Sequence, residues 1–381
     1  MSRRRLLLVT NDFPPRPGGI QSFLHGVVAQ LDPAEVVVLT SRWGAWEQWD
    51  ASVGFTVIRH DTSVLLPTAA VRRHAVRAFR EHGCTDAWFG ATAPLGLLAP
   101  ALRKAGARRI VATTHGHETG WAALPGARSL LRRIAAEVDV LTYLGEYTRS
   151  RLAAAIGEPA ERMQRLAPAV DTDLFTPRVD GGPRRAQLGW ADRPVVVCVS
   201  RLMPRKGQDV LVRALPEIRR RAGDAALLLV GGGPARSRIE ALAREYGVAG
   251  DVSITGSLPF TDLPGYYRAG DVFAMPCRER LRGLDVEGLG MVFLEAAACG
   301  LPVVAGRSGG STDALLPGET GLLVDGRDVT AVAAAVAGLL ADPARAGAMG
   351  ARGREWVTDQ WTWPATANAL KAMLGWSGSV T

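Results

Sequence analysis

Two glutamates eight positions apart, Glu287 and Glu295, are the residues of this sequence whose type and spacing point most directly to chemistry. Glu287 lies in a loop that contains Gly288 and Gly290, and the apolar run after it predicts a short helix with Glu295 about one turn inside. The mouth of such a helix presents unpaired backbone N–H groups and the positive end of the helix dipole. We therefore expect an anion, such as a nucleotide phosphate, to bind beside the two carboxylates.

The residues after Glu295 predict the elements that hold this loop. Gly300 is expected to end the helix, residues 301–305 to form an apolar strand, and Gly309-Gly310 to form a second, flexible loop. Two glutamates at this spacing also arise by chance in unrelated sequences. The succession of loop, helix, glycine, strand and paired glycines is what favours a functional site.

Two other strand-to-helix turns carry groups suited to phosphate. Arg201 follows the strand predicted over residues 195–200, and Lys206 lies across a proline-containing turn from it, so that the two cations could clamp a diphosphate. In the first half of the chain, Gly18 and Gly19 let the backbone approach a ligand closely. That turn has the spacing of neither a dinucleotide-binding loop nor an ATP-binding loop, and a plain loop is its alternative interpretation.

His115 and His117 share the turn after the strand predicted over residues 109–114. The H-x-H spacing is compatible with zinc, but no third ligand lies nearby in the sequence, so a polar turn facing a substrate is the preferred interpretation. The four cysteines show no C-x-x-C pair and no other metal-ligand spacing, which predicts reduced thiols in a cytosolic protein.

Aromatic and basic side chains are concentrated in residues 43–80. Trp43, Trp46 and Trp49 recur at a spacing of three, which favours a packed face but leaves an interfacial or acceptor-binding role open. Residues 64–80 predict an amphipathic helix preceded by apolar residues. Its basic face consists of Arg72, Arg73, His74, Arg77 and Arg80. Such a face is either simply solvated or docks on an anionic lipid surface.

Length and composition favour a globular protein of two domains, because the 381 residues are 47% hydrophobic and 22% charged. The net charge of +8 indicates an anionic partner, although arginine-rich composition also follows from genomic base content. The first apolar run is short and leads into Asn11-Asp12, which predicts a strand and not a signal peptide. The longest apolar segment, residues 331–341, is too short to span a bilayer, so we expect any membrane contact to be peripheral.

Strands alternate with helices in both halves, which predicts an α/β protein with two parallel sheets. The break at residues 180–183 divides the chain into domains over residues 1–180 and 181–357. A terminal helical region over residues 358–381, interrupted at Pro364, is expected to return to the first domain. The predicted strands are 5–10, 35–40, 87–89, 109–114, 138–141, 195–200, 226–231, 252–256, 272–275, 301–305 and 321–324.

In order and spacing, a set of motifs resembles the retaining glycosyltransferases of family 4, over nearly the whole chain. The motifs are PPRPGG, THGHE, PAVDTDLF, SRLMPRKG, VGGGP, ITG, DVFAMPC and EGLGMVFLEAAACGLPVVAG. The resemblance implies the GT-B fold, in which two Rossmann-like domains face each other across a cleft. It further implies that the first domain binds the acceptor and the second a nucleotide sugar, with no required metal or other cofactor. The sequence departs from the family pattern at Ser311-Thr312-Asp313 and, more mildly, at Leu289.

The resemblance also implies roles for the residues already singled out. Gly18 and Gly19 would approach the diphosphate, and His115 would orient the sugar from beneath. Arg201 and Lys206 would neutralise the charge that develops on the leaving diphosphate.

Glu287 would hold a sugar hydroxyl and Glu295 the ribose hydroxyls, so that neither acts as the nucleophile of a retaining hydrolase. Front-face attack by the acceptor, assisted by an oxygen of the leaving phosphate, is the implied mechanism. The expected donor site is completed by Val252, Ile254, Gly288, Gly290, Met291, Val292 and Phe293.

Within the family, THGHETGW, CRERLRGLDVEGLG and the basic amphipathic segment are similar to actinobacterial mannosyltransferases that use GDP-mannose and a phosphatidylinositol mannoside. This similarity implies addition of a second mannose at the inner face of the cell membrane, without a nucleic-acid partner. The acceptor or membrane contacts would be Arg72, Arg73, Arg77, Arg80, Trp43 and Trp46. A family 4 enzyme with another nucleotide sugar and a soluble acceptor is the first alternative. A binding protein with an inactive transferase fold is the second.

Overall fold

The computed structural model describes residues 4–376 except residues 117, 119, 121–123 and 284. Its contacts divide the chain into one compact unit over Met1–Ala169 with Trp363–Thr381, and a second over Val170–Thr362. The sequence placed these divisions after residues 180 and 357. Residues 170–180 belong to the second unit because the N–H of Val170 donates to the carbonyl of Trp361, 2.9 Å away, and Arg354 donates to the carbonyls of Thr172 and Phe175.

The first unit is built on a seven-stranded parallel sheet in the order β3-β2-β1-β4-β5-β6-β7. Its strands are β1 (Leu6–Val9), β2 (Val36–Ser41), β3 (Thr56–His60), β4 (Asp86–Phe89), β5 (Ile110–Ala112), β6 (Val140–Tyr143) and β7 (Met163–Arg165). The helices that connect them include α1 (Gly19–Val28), α2 (Trp46–Ser52), α3 (Ala69–Glu81), α4 (Ala99–Ala105), α5 (Pro125–Glu137) and α6 (Glu146–Ile156).

The central strands of this sheet are continuous apolar runs because both of their faces are covered. Alternate residues of β1 enter different cores. Leu7 and Val9 pack in a cluster with Phe79 of α3 and Ile134 of α5, whereas Leu6 packs in a second cluster on the other face of the sheet. The strand therefore carries no polar face that periodicity could detect.

The second unit contains a six-stranded parallel sheet in the order β10-β9-β8-β11-β12-β13. Its strands are β8 (Val195–Val199), β9 (Ala226–Val230), β10 (Val252–Ile254), β11 (Val272–Met275), β12 (Val303–Gly306) and β13 (Gly321–Val324). Its helices include α7 (Gly182–Leu188), α8 (Gln208–Ala222), α9 (Arg236–Glu245), α10 (Leu263–Arg268), α11 (Met291–Ala298), α12 (Val329–Leu340) and α13 (Pro343–Gln360). The predicted α/β architecture with two parallel sheets is confirmed.

The last helix, α14 (Trp363–Met373), belongs to the first unit, which confirms the predicted return of the chain. Its Leu370 and Met373 are buried in the cluster that also holds Leu6, and Arg109 donates to the carbonyl of Met373. The prediction of a helix interrupted at Pro364 is wrong. The break falls between Gln360 and Trp363, and the proline lies in the first turn of α14, where a missing N–H costs no hydrogen bond.

Among the described residues, no single helix combines the length and the hydropathy needed to cross a membrane. The helices over residues 329–340 and 343–373 meet those criteria only as a pair, which is bent by 96°.

Candidate active site

The predicted site elements of the second unit follow three neighbouring strands. The turn with Arg201 and Lys206 follows β8, the loop with Glu287 follows β11, and the turn at residues 309–313 follows β12. Since β8, β11 and β12 are adjacent and parallel, their carboxyl ends meet at one edge of the sheet. This is the edge at which open α/β sheets bind ligands.

The mouth of α11 has the geometry that the sequence predicts. Gly290 is the residue before the helix and adopts φ 87°, a left-handed conformation. A Cβ atom at Gly290 would lie 2.5 Å from the ring of Phe293, so that any other residue would push this ring aside. Glu287 lies before the helix and Glu295 within it. One detail differs from the prediction, because the N–H of Phe293 donates to the carbonyl of Gly290 at 2.9 Å and is not free for a phosphate.

Glu287 is buried and bonded to two cations. Its Oε2 atom lies 2.6 Å from Nζ of Lys206 and 2.5 Å from Nη1 of Arg205. Lys206 is itself only 8% exposed, in the short turn Pro204–Lys206. The Lys206 ammonium is therefore paired with a carboxylate before any diphosphate binds.

Arg201 differs from Lys206, although the sequence predicts that they act as a pair. Arg201 is exposed, and its side chain makes no hydrogen bond or ion pair with the described part of the chain. A free, exposed guanidinium at a strand end can bind an anion without giving up a protein partner. The structure thus separates the predicted clamp into one free cation and one that is shared.

Glu295 is buried in α11 and bonded to Tyr267 of α10. The Tyr267 hydroxyl donates to Oε2 of Glu295 at 2.6 Å. Burial raises the pKa of the Glu295 carboxyl to about 7, although the hydrogen bond from Tyr267 lowers it in part. Burial likewise raises the pKa of the Tyr267 phenol well above its usual value. Glu295 is thus held in place by one buried donor and takes up a proton close to neutral pH.

The prediction of a flexible loop at Gly309-Gly310 is wrong. Residues Gly309–Asp313 form a turn of 3-10 helix, which Ser308 and Ser311 cap reciprocally. A Cβ atom at Gly310 would lie 2.1 Å from the carbonyl of Gly288, because the turn packs directly against the Glu287 loop. The Gly310 N–H donates to the carbonyl of Glu287 at 2.8 Å, and the Ser308 hydroxyl accepts from the Glu287 N–H at 3.2 Å. The turn fixes the backbone of Glu287.

Val252 and Ile254, expected near the nucleotide base, lie on the edge strand β10. Three strand spacings separate β10 from β11, which is about 14 Å at the usual distance between strands. The described contacts do not bring these two residues to Glu287 or Glu295. Their role in binding a base stays a prediction.

Gly18, Gly19 and His115 belong to the first unit. Gly18 precedes α1, and the space around Gly19 is open on the side where a side chain would project. Nε2 of His115 lies 2.5 Å from the carbonyl of Gly90, and the His115 N–H donates to the buried carboxylate of Glu118 at 2.9 Å. These contacts fix the turn after β5, and the role of His115 toward a sugar stays a prediction.

The zinc alternative rested on His115 and His117, and His117 lies outside the described residues, as do Thr119 and Trp121 of the neighbouring motif. Within the part of the chain that the structure describes, no group of three or more His, Cys, Asp or Glu could hold a metal ion. All four cysteines are free and buried. Burial raises the pKa of the Cys277 thiol to about 12.

The predicted amphipathic helix is α3, and its buried residues Val71, Ala75, Ala78 and Phe79 lie on one face. The exposed arginines are Arg72, Arg73, Arg77 and Arg80. With Lys104 and Arg133 they line a cavity of about 780 Å³ that has an apolar wall. Just before the helix, Val64 and Leu66 are 48% and 53% exposed.

The three tryptophans do not share one face, contrary to the prediction. Trp43 lies before α2, is 44% exposed, and carries the guanidinium of Arg16 over its ring at 5.0 Å. Trp46 begins α2 and is half-buried beside Arg42. Only Trp49 packs against the core. The spacing of three spans a helix start, so helical periodicity does not apply to it.

Two family models match the chain, Glycosyltransferase Family 4 over residues 17–174 and Glycosyl transferases group 1 over residues 183–356. The chain is 53% identical over 374 residues to the GDP-mannose-dependent alpha-(1-6)-phosphatidylinositol monomannoside mannosyltransferase of Mycolicibacterium smegmatis, with 97% of this chain and 98% of the relative covered. The chain belongs to the family 4 glycosyltransferases. It is therefore an enzyme of glycosyl transfer.

Two further comparisons agree with this family. The chain is 45% identical to the GDP-mannose-dependent monoacylated alpha-(1-6)-phosphatidylinositol monomannoside mannosyltransferase of Corynebacterium glutamicum, over 97% of this chain and 98% of the relative. The crystal structure of Anabaena HepE in complex with UDP matches with a TM-score of 0.83 at 20% identity, over 97% of this chain and 99% of that one. That likeness concerns the fold alone, which is GT-B.

Sequence reasoning missed four residues that shape the candidate site. Arg205 bonds Glu287, Tyr267 bonds Glu295, and Ser308 with Ser311 holds the adjacent turn. Arg205 stands next to Lys206 in the motif that was recognised, so a second basic residue in the same turn was the available signal. No pattern in the sequence links Tyr267 to Glu295.

Proposed function

We propose that this glycosyltransferase transfers mannose from GDP-mannose to a phosphatidylinositol monomannoside, adds the second mannose, and retains the anomeric configuration. The observation that carries the proposal is the 53% identity, over nearly the full length of both chains, to the Mycolicibacterium smegmatis enzyme whose name states that donor and acceptor. The Corynebacterium glutamicum relative supports the same class of acceptor.

The cations at the sheet edge support a diphosphate donor. Arg201 is free to bind a phosphate, and the mouth of α11 offers the N–H groups of Met291 and Val292. Charge accumulates on the β-phosphate as its bond to the sugar breaks. The positive charge of Arg201 and the N–H groups at the mouth of α11 would stabilise that developing charge.

The environment of Glu287 supports a role in positioning and not in covalent attack. Its Oε2 atom is bonded to two cations, which lowers its nucleophilicity and fixes its orientation. A carboxylate held in this way accepts a hydrogen bond from a hydroxyl of the sugar through its other oxygen.

Retention then follows from attack on one face of the sugar. The acceptor hydroxyl oxygen would form its bond to C1 on the face from which the diphosphate departs, and an oxygen of the leaving phosphate would take the hydroxyl proton. Protein side chains supply orientation and positive charge in this scheme, and none of the steps uses a metal.

We further propose that the enzyme acts while bound peripherally to the inner face of the cell membrane. The exposed arginines of α3 and the exposed Val64 and Leu66 support this location, because they combine a cationic surface with apolar groups that can enter a lipid headgroup layer.

Incubation of the purified protein with GDP-mannose and phosphatidylinositol monomannoside in vesicles tests the reaction. The expected product is a dimannoside with an α linkage, identified by mass spectrometry and by the anomeric NMR signals. At one hundred times its dissociation constant, GDP should stabilise the folded protein by about 2.7 kcal/mol relative to the protein without ligand. UDP or ADP at the same concentration should stabilise it less. Turnover with soluble acceptors only would refute the lipid acceptor, and a larger shift with UDP or ADP would refute the donor.

A further inference from the structure

Two cationic side chains contact the single carboxylate of Glu287, although one is enough to neutralise its charge. Arg205 and Lys206 both donate to the same oxygen, Oε2, at 2.5 and 2.6 Å. The side chains of Lys206 and Glu287 are 11% and 9% exposed, so that little water competes for these bonds. One of the two cations could leave Glu287 without exposing a buried, unpaired charge.

The two cations differ in how firmly they are held. Arg205 spans two carboxylates, with Nη1 on Glu287 and Nε 3.2 Å from Oδ1 of Asp285. Its backbone carbonyl also accepts from the N–H of Arg278 at 2.9 Å. A planar guanidinium that bridges two acids is fixed in orientation, whereas the Lys206 ammonium is a point charge on a flexible stem.

We propose that Arg205 is the permanent counter-ion and positioning residue of Glu287, and that Lys206 shares this carboxylate only until a nucleotide sugar binds. This inference rests on the proposed function, in which Glu287 binds a hydroxyl of the sugar and Lys206, in the same turn as Arg205, binds the diphosphate. When the diphosphate arrives, the Lys206 ammonium turns to it. Arg205 remains on Oε2 and leaves the other oxygen of Glu287 to the sugar.

The two cations should therefore contribute to different parts of the affinity for the donor, namely the contact with the sugar and the contact with the nucleotide. Loss of Arg205 should weaken the contact with the sugar and leave the contact with the nucleotide nearly intact. Loss of Lys206 should weaken both GDP and the sugar nucleotide. A merely structural role for Arg205 would affect the two ligands alike.

Calorimetric titration of GDP and of GDP-mannose into the full chain tests the proposal, with melting temperature as the check on folding. Arg205→Met should weaken binding of GDP-mannose by about ten- to one-hundredfold, change GDP binding less than about twofold, and lower kcat. Arg205→Lys keeps a cation near Glu287 and should recover most of the lost affinity. Equal weakening of both ligands, or no weakening of either, would overturn the proposal.

Two further variants sharpen the comparison. Arg280→Met is the matched control, because Arg280 pairs with Asp285 at 3.4 Å but has no bond to Glu287 among the contacts of the described residues. This variant should bind both ligands as the wild type does. Asp285→Asn weakens the outer support of Arg205 together with the pair to Arg280, whose contribution the Arg280→Met control measures separately. It should give a smaller loss with the same selectivity for GDP-mannose. If Arg205→Met does not fold, Asp285→Asn tests whether Arg205 positions Glu287 for the sugar.

Failure of the proposed donor is a separate result. A wild type that does not turn over GDP-mannose refutes the donor assignment. The same variants are then titrated with the nucleotide sugar that the wild type accepts and with the corresponding free nucleotide. Equal losses of affinity for these two ligands would overturn the proposed role of Arg205.

Discussion

At the scale of single residues, the pair of Glu295 and Tyr267 links the candidate donor site to the pH dependence of stability. Burial raises the pKa of Glu295 from 4.5 to about 7, so the folded state holds this proton more tightly than the unfolded state. Between these pH values the folded protein therefore binds more protons, and its free energy of unfolding falls as pH rises.

Glu295→Gln should remove that part of the pH dependence, because the amide does not ionise. The measurement is the free energy of unfolding in urea at several pH values from 4 to 8. Tyr267→Phe should act in the opposite direction and extend the fall to higher pH, since the hydrogen bond from Tyr267 lowers the Glu295 pKa. Parallel curves for the wild type and Glu295→Gln would contradict this account.

At the scale of elements, the mouth of α11 depends on Gly290. Gly290→Ala should destabilise the protein by roughly 1–3 kcal/mol from strain at positive φ, with an added cost from the contact to the Phe293 ring. Because the ring must move, the helix mouth shifts. Transfer activity should therefore fall by more than the decrease in the folded fraction explains. Gly318→Ala is the matched control, with φ 84° but open space around its Cβ position. Equal losses of activity in both variants would count against a special role of this mouth.

Helix α3 carries the charge through which we expect the enzyme to contact a membrane. Replacing Arg73, Arg77 and Arg80 by serine should weaken binding to vesicles that contain anionic lipid by about 1 kcal/mol per residue. Co-sedimentation with vesicles of increasing anionic content measures this loss. The matched control is a triple serine variant of the exposed arginines of α9, namely Arg236, Arg238 and Arg244. Similar losses for both triple variants would indicate attraction by net charge alone.

At the scale of the whole molecule, the sequence predicted the α/β class, the two parallel sheets and the return of the last helix. Strands β3 and β7 escaped prediction because they lie at the sheet edges and carry polar residues, such as Arg59, whose buried side chain pairs with Asp50, and the exposed Gln164. The first domain boundary was misplaced because Arg354, far along the chain, holds residues 172 and 175 in the second unit. Contacts between distant residues leave no local pattern in a single sequence.

The candidate site shows the same limit. Motifs located Glu287, Lys206 and Arg201, and spacing placed Glu287 and Glu295 correctly around the mouth of α11. The bond between Lys206 and Glu287 joins residues that are 81 positions apart, and only the folded sheet brings them together. The rigid turn after β12 was mistaken for a flexible loop because paired glycines also serve close packing, as Gly310 does against Gly288.

The return of α14 to the first unit has a consequence for synthesis on the ribosome. Leu6 and Leu8 are made before the whole second unit, yet the core that buries them is completed by Leu370 and Met373. The second unit is contiguous in the chain and can close as soon as it emerges. The unit that is translated first is therefore the last to finish folding, and a chain that terminates before α14 leaves an apolar surface for chaperones to recognise.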